Sequence, residues 1–221
     1  MQRSRYQALN AWVMAVCLIG LPVSSSALQL LDDQGNTLSD VVILVEGVAP
    51  RPGAPGVMDQ VEMQFQPRVL AVATGTQVRF PNSDDVRHHV YSFSAAKRFE
   101  LRLFKGTDAP PVAFEQPGLV VLGCNIHDAM VGYILITDSP WYGVSDAQGQ
   151  LDSSRLPKGS GLVSWWHPSL GEAAPVALGN VELQTVGKLT LPIAPTPVAH
   201  EAKPLSPLQQ RFRKAAEQHA H

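Results

Sequence analysis

Cysteine is scarce in this chain. There are two in 221 residues, Cys17 and Cys124, and Cys17 lies in the apolar stretch at the N-terminus. A disulfide-stapled scaffold is thereby excluded. Charge is also sparse, at 16% of residues, and shows no strong excess of either sign, with a formal net of −2. That balance argues against nucleic acid as a partner. After residue 27 no apolar run is long enough to cross a membrane as a helix. No Ser/His/Asp set or paired-carboxylate pattern is legible. His-x-His occurs once, at the C-terminal end, so the seven histidines do not supply the clusters a multicopper oxidase or reductase needs. The chain reads as a non-enzyme.

The first 27 residues carry an export pattern: Arg3 and Arg5, then an apolar run over residues 11–23, then Ser25-Ser26-Ala27 as small residues at a cleavage position. An uncleaved anchor is the other reading of this segment. No lipobox surrounds Cys17. Cleavage after Ala27 leaves 194 residues with fifteen basic against nineteen acidic side chains. Cys124 is then a lone thiol in an oxidising compartment. It is a metal ligand, an intermolecular crosslink, or a buried small hydrophobe.

Glycine and proline are plentiful, 17 and 18, and they punctuate short alternating or β-branched runs. Strands are expected near residues 28–30, 41–45, 61–65, 69–72, 78–80, 88–93, 99–104, 112–114, 119–122 and 133–137. Regular spacing of this kind predicts an all-β sandwich or barrel. A boundary is expected at Asp138-Ser139-Pro140. A small β-module over 139–195 follows, with strands at 181–186 and 188–191. About 55 residues is little for an independent core, so this module should pack on the first domain, together with the segment 28–48. Residues 196–221 read as a proline-rich linker and a tail with a short amphipathic helical pattern.

The chemistry concentrates in Cys124-Asn125-Ile126-His127-Asp128-Ala129-Met130 and in His88-His89-Val90. One thiolate, two imidazoles and one thioether are the ligand set of a blue-copper electron-transfer site. Residues 124–130 are expected to form a loop between a strand that delivers Cys124 and one that leaves from Gly132. Neighbouring strand residues face opposite ways, so His88 and His89 cannot both ligate from one regular strand. Either could be the ligand, since a bulge could re-aim the pair. Met130 is either a weak axial ligand or an apolar lid. Asn125 and Asp128 are candidates for hydrogen bonds that fix the segment. Lys97, Arg98, Arg102 and Lys105 flank a strand and form either a docking patch or a solvated face. His200, His219 and His221 could bind metal loosely.

Gly75-Thr76-Gln77-Val78-Arg79-Phe80-Pro81-Asn82, followed by His88-His89-Val90 and the C-x2-H-x2-M segment, resembles the cupredoxin family. The short ligand segment is similar to that of amicyanin, the blue-copper acceptor of methylamine dehydrogenase. Phe80-Pro81-Asn82, His88 to Ser94 and Leu122 to Asp128 resemble exported methylamine utilisation proteins. The likeness covers about residues 40–138 well. It implies a Greek-key β-sandwich with one type 1 copper ion at one end, held by His88, Cys124, His127 and Met130. It also implies a periplasmic electron carrier whose redox partner is a dehydrogenase or cytochrome. The family usually reads His-Asn-Val where this chain has His88-His89-Val90. Leu156-Pro157-Lys158-Gly159 and Trp165-Trp166-His167-Pro168 resemble carboxypeptidase regulatory-like β-modules, which makes His167 structural. A copper carrier or storage protein without redox turnover is the alternative, and a fold that has lost its metal is a third.

Overall fold

The computed structural model describes residues 27–50, 56–107 and 109–193. The expected export signal, Cys17, the tail helix and His200, His219 and His221 lie outside them. The described residues form an all-β structure with no α-helix. Two single 3-10 turns, Ser153–Arg155 and Pro168–Leu170, are the only helical elements among them. No helix among them is long and apolar enough to cross a membrane.

The sheets stack in layers. A five-stranded sheet carries, in spatial order, Val69–Ala73, His127–Thr137, Gly118–Cys124, His88–Ser92 and Phe99–Phe104. Its inner face packs against a three-stranded sheet of Val112–Phe114, Thr76–Arg79 and Gly56–Val57. Met58, Phe80, Phe114, Val90, Val120, Leu122 and Ile134 fill the space between them, with Phe80 and Phe114 rings 6.4 Å apart. Each strand contributes alternate residues to this core, which is why the alternating runs could be read from the sequence.

The other side of the five-stranded sheet is partly covered by a second body. There the strand Val42–Glu46 pairs with Trp141–Val144 on one side and Gly161–Trp166 on the other. The strand Leu28–Leu31 pairs with Gln150–Leu151 and Lys188–Thr190. Ile43 and Val45 face the core of this body, whereas Val42 and Leu44, beside Trp166 of their own sheet, meet Val69, Ala71 and Leu135 across the junction. A strand buried on both faces needs a continuous apolar run, and Val41-Val42-Ile43-Leu44-Val45 is one.

Two sequence expectations are corrected. The alternating run 61–65 is not one strand. It is a hairpin of Asp59–Val61 and Gln64–Gln66 turning at Glu62 and Met63, whose φ angles are +53° and +58°. A distant carboxylate, Asp84, accepts both turn amides, a contact that local alternation cannot report. The run 181–186 is likewise not a strand. The strand is Val176–Val181, and Glu182 then starts a turn in which its carbonyl accepts both the N–H and the hydroxyl of Thr185, at 3.1 and 2.8 Å.

Candidate metal centre

The strands Gly118–Cys124 and His127–Thr137 form a tight hairpin whose turn is only Asn125 and Ile126. The expectation that residues 124–130 are all loop is therefore corrected: only Asn125 and Ile126 are, and His127 to Met130 already belong to the outgoing strand. Gly123 pairs with Val131 but Cys124 pairs with His127, so Asp128, Ala129 and Met130 bulge out of register. A bulge re-aims side chains. Here it lets Cys124 and His127 face one point and turns Met130 into the core at 1% exposure.

His88 comes from the neighbouring strand, where Cys124 pairs with Val90. The pairing of that strand with Phe99–Phe104 shifts between His88 and Val90. The extra residue sits on the partner strand, so the alternation of His88, His89 and Val90 survives. His88 is fully buried. His89 points to the other face, with Nε2 2.9 Å from Glu100 Oε1 but off the line of a hydrogen bond.

Three donor atoms converge. Cys124 Sγ lies 3.7 Å from His88 Nδ1 and 3.8 Å from His127 Nδ1, and the two Nδ1 atoms are 3.2 Å apart. The point in their plane equidistant from all three is roughly 2.1 Å from each, within the ~2.0–2.3 Å range of first-row metal bonds to nitrogen and sulfur. The triangle is thus the right size for one metal ion. The thiolate with two imidazoles matches the trigonal donor set of copper, and a buried thioether from Met130 is the residue type that completes it. Among the described residues this is the one cluster of three histidine, cysteine or acidic groups that could hold a metal.

Sequence reading missed Asp84. Its Oδ2 is 2.7 Å from His88 Nε2. Burial alone would push this carboxyl up, but the N–H of Met63, the His88 imidazole and the N–H of Glu62 hold it below the ordinary carboxylate value. An ionised carboxylate only accepts, so Nε2 is the ring nitrogen that donates to it, and Nδ1 is the atom turned toward Cys124. Buried Asn82 holds the segment that carries Asp84: it donates to the carbonyls of Val86 and Phe104, both at 2.9 Å, and accepts the Asp84 N–H at 3.0 Å. The available signal was an acid four residues before a candidate ligand.

His127 is half-buried. It opens on a cleft of about 430 Å³ whose walls include Glu62, Met63, Phe65, Arg68 and Asp128. Asp128 is exposed, and Asn125 donates its N–H to the carbonyl of His89 at 3.3 Å. Of the basic residues near the edge strand, Arg102 lies 3.4 Å from Glu100, and Lys105 donates to the Asp85 carbonyl at 2.8 Å. His167 accepts the Ser169 N–H at 3.1 Å and is not part of the cluster.

No protein-family model and no curated protein matches this chain. Among solved structures, it is similar to a Cu-containing nitrite reductase (NirK) from Thermus scotoductus SA-01, with 25% identity and a TM-score of 0.36 over 42% of this chain. The match spans 24% of the reductase. A purple cupredoxin from Nitrosopumilus maritimus matches at 22% identity and TM-score 0.33, over 37% of this chain and 96% of its own. A reduced variant of amicyanin matches at 19% identity and TM-score 0.34, over 43% and 98%.

Proposed function

We propose that this protein is a blue-copper electron carrier of the cupredoxin type, in which His88, Cys124 and His127 would hold one copper ion and Met130 would add a weak fourth donor. The observation that carries this reading is the convergence of His88 Nδ1, Cys124 Sγ and His127 Nδ1 at metal-bonding distance from one point. When bound, copper supplies a reversible one-electron couple. The chain supplies rigidity. His88 and Cys124 are held by adjacent paired strands in a close-packed core, which limits rearrangement between oxidation states. His127 is the one of the three donors with an exposed edge, which makes it the exit for the electron.

The proposal extends to the periplasm as compartment, after cleavage of the N-terminal signal, and to a dehydrogenase or cytochrome as redox partner. Methylamine dehydrogenase is the donor that the sequence resemblance suggests. The test is voltammetry on the mature protein loaded with one equivalent of copper. A reversible one-electron wave, with copper retained against a chelator in both states, supports the carrier. Rapid loss of copper to the chelator with no reversible wave would instead mark a copper-delivery or storage protein.

A further inference from the structure

The turn at Glu62 and Met63 is in an unfavourable conformation for its residues. Both have φ in the left-handed region, +53° and +58°, as the tight hairpin requires, yet such turns favour Asn-Gly over side chains like these. A single carboxylate offsets this. Asp84 Oδ1 accepts the Glu62 N–H at 2.6 Å, and Oδ2 accepts the Met63 N–H at 2.8 Å. The same Oδ2 lies 2.7 Å from His88 Nε2. A second tether joins the base of the hairpin to the same segment, where Asp59 accepts both the N–H and the hydroxyl of Ser83 at 3.2 and 2.8 Å.

We infer that the Glu62–Met63 turn is a positioning element for His88, acting through Asp84, and that it thereby sets the reduction potential of the centre. The potential rests on the copper reading above; the positioning does not. The two turn amides fix where the carboxylate sits, and the Met63 N–H draws charge from the oxygen that faces Nε2. Asp84 then fixes the ring orientation and tautomer that leave Nδ1 bare toward Cys124. Partners behind a metal-bound histidine hold it in this way. The turn also walls the cleft on which His127 opens, so one hairpin borders both imidazoles.

Two variants test this. Asp84→Asn offers one acceptor oxygen. With that oxygen toward His88 and Met63, its NH2 meets the Glu62 N–H; turned round, its NH2 faces Nε2 and selects the tautomer with the proton on Nδ1. Glu62→Pro leaves Asp84 and His88 intact but removes one amide and forbids the positive φ. In the metal-free protein, both should speed hydrogen exchange at the Met63 amide and move the His88 ring 15N shifts away from the Nε2–H pattern. The amides of residues 119–122 should be unaffected. In the copper-loaded protein, both should raise the potential and weaken Cu(II) binding about 10–100-fold. Wild-type tautomer and exchange in both variants would overturn the inference. So would wild-type potential and affinity in a protein that does bind copper. If the wild type binds no copper, the carrier reading fails, and the tautomer and exchange data alone decide the positioning role.

Discussion

The phenol end of Tyr91 packs against Gly123, the residue before Cys124. A Cβ added at Gly123 would stand 2.8 Å from Tyr91 Cζ and 2.9 Å from its hydroxyl oxygen. Gly123 pairs with Tyr91 across the strands, and Tyr91 in turn packs on Phe93 at 5.2 Å between ring centroids. Gly123→Ala must push the ring aside or shift the strand that carries the thiol. Overpacking of this kind costs about 1–3 kcal/mol. Chemical denaturation should show that loss for Gly123→Ala, and the same substitution should cost less in a Tyr91→Ala background, because the clash is then gone.

Trp166 is the largest side chain at the junction between the two bodies. It is fully buried, stacks 5.5 Å from Tyr133, and donates its Nε1–H to the Gly171 carbonyl at 3.2 Å. Trp166→Ala opens a cavity beside Val42, Leu44, Val69 and Leu135. A loss of about 3–5 kcal/mol is expected, measured as a lower denaturation midpoint. The metal donors lie on the opposite side of the five-stranded sheet, so copper binding by the folded variant should be unchanged.

His167 links stability to pH. Burial holds its imidazole below the ordinary value of 6.5; Asp40 opposes this and Arg68 adds to it. Nδ1 accepts the Ser169 N–H, which requires the unprotonated ring atom. The unfolded chain binds the proton more readily, so the stabilisation is complete above pH 6.5 and is lost as pH falls through the depressed folded value. Thermal melts of wild type and His167→Asn should differ by a constant amount above pH 7 and converge as pH drops below about 6.5. A constant difference across that range would contradict the assignment.

Met130 separates binding from tuning. A thioether is a weak, long axial ligand, and Met130 is also a core residue. Met130→Leu conserves volume, so a stability change under about 1.5 kcal/mol is expected. Copper should still bind, with its potential raised by loss of the axial donor. Voltammetry and a denaturation curve on the same sample check both parts.

Much of the site was legible because its signals are local. The spacing of Cys124, His127 and Met130 lies within one hairpin, and the alternation that sets His88 against His89 within one strand. The all-β class followed from short alternating runs between glycines and prolines, and the doubly buried strand from its unbroken apolar run. What could not be read depends on contacts distant in sequence. The Glu62–Met63 turn looks like strand because its conformation is held by Asp84, some twenty residues away. The two-residue turn at Asn125 and Ile126 was hidden because a bulge at 128–130, rather than a loop over the whole of 124–130, makes the ligands converge. Val181 to Val186 alternates like a strand, yet Leu183 is buried from within a turn.

The most direct measurement is the visible spectrum of the mature protein after one equivalent of Cu(II), beside Cys124→Ser. The account predicts an intense blue thiolate-to-copper band that reductant bleaches and reoxidation restores, with no such band in the variant. A colourless adduct in the wild type, or the same band in both proteins, would contradict it.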